Sequence, residues 1–418
     1  MTTEIAIANR QGLALAADSA VTIGRRRVWK TANKLFSLSP HNDIAVMIYG
    51  GGDFIGFPWE TVVKSFRTDI GQRQFETVGE CAAALIEYLR GPTFKSELGE
   101  TLSVYLVFFW HLEVAKKLLG KYRTKKDFKD ELITCLHAGI KNFEDTPICL
   151  PNLTLEDFSA RYKKVITEAA TDVFDERITK VVLEKCIEFS FEVFRRQVGS
   201  SYETGLVVAG FGKKEYFPSI VTHAVDGKHK DVFRYWSIPD YSHDINPDTT
   251  SNAIIIPFGQ DDIAVLFLEG IAASHLRWVE RTVQSILAKK SEKLCNEYIK
   301  DAGVRRVEQR LQMKDDEEII RLLKKEFQDY RDRTLIQKIM GVVASLPKEE
   351  MAAMAEALVE LTSLRRKMDS PLESVGGPTD VAIISKGDGL IWVKRKHYFE
   401  MELNGDWPAP GSVDSHLS

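Results

Sequence analysis

The sequence predicts an α+β protein assembled from antiparallel strand pairs with helical blocks between them. Three groups of short, alternately apolar segments carry this prediction: one within the first fifty residues, one over residues 205–238, and one over residues 381–393. In the first group, Ile5-Ala6-Ile7-Ala8 and Leu13-Ala14-Leu15-Ala16 flank the polar turn Asn9-Arg10-Gln11-Gly12 and read as a hairpin that brings Thr2 near Asp18. Residues 34–38 and 44–48 read as a second hairpin around Ser39-Pro40-His41-Asn42-Asp43. It sets Lys34 at a strand start and Gly50 at a strand end, on one edge of a sheet.

Residues 59–67 and 78–89 then show helical spacing. Residues 205–210, 216–225 and 232–238 read as strands separated by turns at Gly212-Lys213-Lys214 and Asp226-Gly227-Lys228, and residues 254–259 lead to a helix over 263–276. The last pair, 381–384 and 390–393, turns at Lys386-Gly387-Asp388-Gly389. Two stretches are helical additions. Residues 91–202 contain the apolar run 102–110, shorter than the about twenty residues of a membrane-spanning helix and so expected to pack internally. In the same stretch Thr154 and Asp157 give a helix-start signal. Residues 279–344 mix charges at short spacing, as in Lys314-Asp315-Asp316-Glu317-Glu318, which reads as a solvated helix face or a docking surface. The tail 404–418, with its Pro, Gly and Ser, reads as flexible.

The chemistry begins at Thr2. A bare hydroxyl is a weak nucleophile, and an N-terminal threonine carries its own base in the free α-amino group, whose pKa is about 7.7 to 8. Removal of Met1, favoured when the next residue is small, is expected to expose it. Asp18 follows Thr2 by sixteen residues, inside Ala17-Asp18-Ser19, and Lys34 follows it by thirty-two; Thr22, Gly24 and the run Gly50-Gly51-Gly52 complete the pattern.

In these residues the chain resembles proteasome β subunits and the bacterial proteasome-like peptidase HslV, members of the N-terminal nucleophile (Ntn) hydrolases. The resemblance implies a four-layer αββα sandwich of two antiparallel sheets, covered here by residues 1–90, 203–278 and 345–403. It makes Thr2 the nucleophile, Asp18 the carboxylate that holds Lys34, Lys34 the cation favouring the activated hydroxyl, and Gly50 the oxyanion-hole donor. Lys34 beside the α-amine would keep that amine neutral by like-charge repulsion. Substrate would pair with backbone near Thr22, Gly51 and Gly52. Supporting residues are Ser19, then Gln260 and Asp261 at the position of a family serine, and Glu373 and Ser374, which match an aspartate and serine after a one-residue slip. Homo-oligomeric assembly is implied as well, and an ATPase partner is a family habit that no residue of this sequence identifies.

Nine histidines lie scattered without metal-ligand spacing, and no phosphate-binding loop is present, so no metal and no cofactor is expected. A formal net charge of −4 offers no footprint for nucleic acid, and no apolar run is long enough for a membrane span. Arg25-Arg26-Arg27 is expected to rim a cleft. The five cysteines are odd in number and sit in apolar settings, which favours reduced thiols and, with no leader ahead of Thr2, a cytoplasmic protein. The expected function is threonine-type hydrolysis of amide bonds in a peptide or protein substrate. The alternatives are a small-molecule amidase on the same fold and a non-catalytic scaffold.

Overall fold

Every strand residue of the first hairpin is buried, on both faces, which requires a layer above it and a layer below. The computed structural model describes residues 2–23, 27–29, 31–39, 41–119, 125–175, 178–246, 252–369 and 376–397. In chain order, the hairpin β1 (Thr3–Asn9) and β2 (Gly12–Ala17) is followed by β3 (Val21–Ile23), β4 (Arg27–Trp29), the hairpin β5 (Leu35–Ser39) and β6 (Asn42–Gly50), and the two-residue strands β7 (Asp53–Phe54) and β8 (Phe57–Pro58). Helices α1 (Trp59–Ile70), α2 (Val78–Arg90), α3 (Glu97–Leu118), α4 (Lys125–Asn142), α5 (Leu155–Phe174) and α6 (Lys180–Arg195) come next. The chain returns to strands with β9 (Thr204–Phe211), β10 (Ser219–His229), β11 (Val232–Ser237), β12 (His243–Asp244) and β13 (Ala253–Gly259). It ends in α7 (Asp262–Glu269), α8 (Ala273–Tyr298), α9 (Ala302–Arg331), α10 (Gln337–Val343), α11 (Lys348–Asp369) and the hairpin β14 (Asp380–Ser385) and β15 (Gly389–Lys394).

Two antiparallel sheets face each other. One has the order β13-β1-β2-β14-β15, the other β11-β10-β9-β6-β5 with β12 added on β10. The period-2 alternation of the first hairpin now has a physical reading. Ala6, Ala8, Leu13 and Leu15 point between the sheets, where they meet Met47, Val207 and Phe258. Ile5, Ile7, Ala14 and Ala16 point outward and are covered by Met351, Ala355 and Leu358 of α11. On the far side, α1 and α2 bury Trp59, Phe66, Cys81 and Leu85 against Val46 and Val208 of the second sheet. The architecture is therefore the four-layer αββα sandwich, with β1 an interior strand between β13 and β2.

Helices α3 to α6 gather around an apolar cluster of their own, including Phe108, Phe158, Tyr162, Phe174 and Phe194. The 102–110 run lies in α3, whose buried face includes Val104, Val107, Phe108 and Leu112. The helix-start signal is realised too: the Thr154 hydroxyl accepts from the Asp157 amide at 3.1 Å. This helical unit is tied to the second sheet through Arg234 of β11. Its fully buried guanidinium pairs with Asp226 and donates to the carbonyls of Phe194 at 2.9 Å and Arg196 at 3.0 Å. Arg234→Met removes the cation but leaves the Asp226 carboxylate buried, so a loss of about 3–5 kcal/mol is expected. Urea unfolding checks it, and a midpoint equal to that of the parent would rule it out.

Two sequence expectations change. Asp226-Gly227-Lys228 is not a turn: β10 continues to His229 through a bulge, with Gly227 at φ +117°, and the reversal comes at Lys230-Asp231. The two charged residues stay in the strand because each finds a buried partner, Asp226 in Arg234 and Lys228 in the carbonyls of Leu89 (2.9 Å) and Gly91 (2.7 Å). The helix expected over 263–276 is broken in two at Gly270, which adopts φ +69° and closes α7. The charged block beyond it forms α8 and α9, packed on each other with only Ser291, Cys295 and Asp316 buried along their length. Among the described residues, no helix is long and apolar enough to cross a membrane. The tail 404–418, Arg25 and Arg26 lie outside the described residues, as does the side chain of Arg27.

Candidate active site

Backbone pairing around β1 assembles the site. The Asp18 amide donates to the Thr3 carbonyl at 3.1 Å, and the Thr3 amide donates back to Asp18 Oδ1 at 3.2 Å, so the end of β2 is locked beside Thr2. On the other flank, β13 pairs Gly259 with Thr3, the Gln260 amide donates to the Thr2 carbonyl at 2.8 Å, and the Thr3 hydroxyl donates to the Gln260 carbonyl at 3.2 Å. The second sheet contributes from below. The Ile48 amide donates to the Lys34 carbonyl at 2.9 Å, which sets Lys34 at the mouth of the β5–β6 hairpin.

Gly50 ends β6 at φ +85°, and a Cβ there would stand 2.3 Å from the Glu203 carbonyl oxygen, so both conformation and space demand glycine. Its amide points at the candidate nucleophile, 3.3 Å from Thr2 Oγ1. Gly259, at φ +70°, is constrained in a similar way: a Cβ would lie 2.9 Å from Thr2 Oγ1 and 3.2 Å from Glu4 Oε2. Thr2 itself is only 4 % exposed and borders a cavity of about 120 Å³ with Ala32, Lys34, Ile48, Gly50 and Trp59. At the rim, Glu60 is engaged by Asn33 at 3.1 Å and by Lys64.

Electrostatically, the site is a buried cluster of one ammonium and two carboxylates. Lys34 Nζ forms an ion pair with Asp18 and a second with Glu4 Oε1 at 3.1 Å. Burial alone would lower the Lys34 pKa, but the Glu4 and Asp18 charges outweigh it and hold the ammonium above its ordinary value. Asp18 Oδ2 is held in turn by the Gly376 amide at 2.8 Å. Burial pushes Glu4 up to about 8 in spite of Lys34 beside it. Neither Glu4 oxygen meets hydrogen-bond geometry with a described donor, although the Lys34 ammonium and the Thr2 hydroxyl lie close enough to draw its pKa down.

Thr2, Asp18, Lys34 and Gly50 thus come together. Gly51 donates to the Glu203 carbonyl at 2.9 Å, and both Gly51 and Gly52 line the cavity. Thr22 lies in β3 opposite Val28, with its side chain outside the described residues. Ser19 does not reach Thr2 through any hydrogen bond seen among the described residues; its hydroxyl donates to the Pro378 carbonyl. Gln260 touches Thr2 and Thr3 through its backbone, while its Oε1 is buried without a described partner. Asp261 precedes α7 and makes no side-chain cap there. Glu373 and Ser374 lie outside the described residues. Glu4 is the member that sequence reasoning missed. The available signal was the strand period: residues two apart in an extended chain share a side, so Glu4 follows Thr2.

The two antiparallel sheets stacked between helical layers, with an interior strand that opens at a buried threonine, define a protein of the four-layer αββα class. No protein-family model matches the sequence, and no curated protein does. Among solved structures the chain is similar to Anbu (ancestral beta-subunit) from Yersinia bercovieri, at 12 % identity over 97 % of this chain and 93 % of that one, with a TM-score of 0.30. It is also similar to the Gly-1 mutant of Anbu from Hyphomicrobium sp. strain MC1, at 11 % identity, 95 % and 86 % coverage and a TM-score of 0.30. A third is the helical assembly of the Anbu complex from Pseudomonas aeruginosa, at 10 % identity, 97 % and 92 % coverage and a TM-score of 0.26. These neighbours correct the resemblance drawn from the first fifty residues: they are Anbu proteins, proteasome-like but distinct from proteasome β subunits and HslV. Likeness at this level bears on neither activity nor assembly.

Proposed function

We propose that this chain is a threonine-type N-terminal nucleophile hydrolase that cleaves amide bonds through an ester on Thr2. The observation that carries the reading is the Gly50 amide 3.3 Å from Thr2 Oγ1, beside the buried Lys34–Asp18 pair. Removal of Met1 frees the α-amine as a base for the hydroxyl, and Lys34 keeps that amine neutral by repulsion. As the carbonyl carbon is attacked, the Gly50 N–H stands where negative charge develops on oxygen; one such donor is worth about 2.7–4 kcal/mol in the transition state. The ester is then hydrolysed by water. Ile48, Ala32 and Trp59 give the 120 Å³ cavity apolar walls suited to a small aliphatic side chain, which favours a peptide substrate with such a residue at the cleaved bond. Self-association belongs to the same reading, since α8 and α9 leave Trp278, Ile286, Leu311 and Met313 exposed.

The test is intact mass and N-terminal peptide mapping of the purified protein before and after treatment with a β-lactone. Met1 is expected to be absent and one adduct to map to Thr2. A retained Met1, or an unmodified Thr2, defeats the reading and leaves the scaffold alternative. Hydrolysis of alanine-ended fluorogenic tripeptides in preference to simple amides separates peptidase from small-molecule amidase.

A further inference from the structure

Glu4 is a fully buried acid on the second residue of β1, the strand that follows the nucleophile, and the mechanism above gives it no task. Its side chain shares a side with Thr2. Its Oε1 lies 3.1 Å from Lys34 Nζ, and its Oε2 and Thr2 Oγ1 flank one point above Gly259, 3.2 Å and 2.9 Å away from it. Neither oxygen has a well-aligned donor among the described residues, so the carboxyl keeps accepting capacity to spare, and the Thr2 hydroxyl lies close enough to draw its pKa down. Two carboxylates share one ammonium here, and a proton on one of them balances the cluster. Burial and the Asp18 charge favour that proton on Glu4, and Lys34 opposes it. Lys34 and Asp18 contact the site from β5 and the end of β2, and Tyr49 faces it from β6, its own phenol pushed up by burial, by Glu203 and Tyr241 and, in part, by Glu4.

Resting on the assignment of Thr2 as nucleophile, we propose that Glu4 is a catalytic carboxylate of the site, sharing the Thr2 hydroxyl proton with the α-amine. In its ionised form Glu4 accepts that proton as Thr2 Oγ1 bonds to the amide carbonyl carbon and the carbonyl π pair moves onto oxygen beside the Gly50 N–H. When the C–N bond breaks, Glu4 returns the proton to the departing nitrogen, leaving the ester on Thr2 and the carboxylate ionised. Water attacks the ester by the same route, its proton passing to Glu4 and then to Thr2 Oγ1 as the acid leaves. The burial that raises the Glu4 pKa to about 8 suits it to this exchange near neutral pH.

The experiment is the rate of Thr2 acylation by a β-lactone, read by intact mass over pH 5–10 in the parent, Glu4→Gln and Glu4→Asp. In lactone opening the ring C–O bond breaks and its oxygen takes the proton from Glu4, so the same group is reported. Glu4→Gln is expected to lower the maximal acylation rate by about tenfold or more with the half-saturating lactone concentration unchanged. Its pH profile is expected to move to lower pH, because loss of a nearby negative charge eases deprotonation of the remaining amine. Glu4→Asp, which keeps the carboxylate at shorter reach, is expected to recover part of the rate. Acylation of Thr2 in Glu4→Gln within twofold of the parent, with the same pH profile, overturns the role of Glu4 and leaves Thr2 as nucleophile. Absence of any Thr2 adduct in the parent overturns the nucleophile reading itself, and the role of Glu4 with it.

Discussion

Lys34→Met is expected to abolish acylation of Thr2 and to destabilise the protein by about 3–5 kcal/mol, with the larger deficit at alkaline pH. Lys34 is 3 % exposed, and it is the cation paired with both Asp18 and Glu4. Methionine fills similar space without the charge, so two buried carboxylates are left against each other. The pH dependence follows from Glu4. Its pKa in the folded protein, about 8, lies above the ordinary 4.5, so the folded state holds a proton that the unfolded state releases. That contribution to stability is fully present below pH 4.5 and is lost as pH rises through 8. Without Lys34 the loss extends further, since nothing then offsets burial. Lys34 has a raised pKa of its own, so its contribution holds below 10.5 and fades only above that value. Urea midpoints at pH 6 and pH 8.5 measure the difference. Equal midpoints for Lys34→Met and the parent at both pH values would show that the cation does not hold this cluster.

Thr2→Ala is the second large effect: β-lactone labelling is expected to vanish and amide hydrolysis to fall by about 10⁴-fold or more, as when a serine hydrolase loses its nucleophile. Stability should change little by comparison. The Gly50 amide loses its 3.3 Å acceptor, a cost of about 1 kcal/mol at a position that borders the cavity. Thr2→Ser restores the oxygen and should restore labelling, which separates chemistry from packing. An adduct of unchanged yield on Thr2→Ala, mapped to another side chain, would remove Thr2 from the mechanism.

Much of the scaffold around this site was legible because its signals are local. The alternation of residues 5–8 and 13–16 encodes two strands, and the polar turn between them encodes their pairing; β1 and β2 follow at 3–9 and 12–17. Helices α1 and α2, and the hairpin of β14 and β15, were legible for the same reason. Illegible features depend on partners remote in sequence. Asp226-Gly227-Lys228 has the composition of a turn, yet Arg234 and the carbonyls after α2 hold it in a strand. Gly270 inside an apolar helical pattern gave no warning that it would break the helix. The narrower kinship read from Thr2, Asp18, Lys34 and Gly50 is not the one the comparisons return, since the solved structures found are Anbu proteins.

Sequence alone determined the pieces: which segments become strands, that the first hairpin returns Asp18 beside Thr2, and that a glycine ends β6. These follow from side-chain period and backbone freedom, properties a residue carries with it. Tertiary structure alone decided the electrostatic state of the site. Whether Glu4 is a solvated carboxylate or a proton-holding acid depends on burial between β13 and β2 and on a lysine delivered by the other sheet. Charge stabilisation is set by what surrounds a group, and no stretch of sequence around Glu4 names Lys34 or Gly259 as its neighbours.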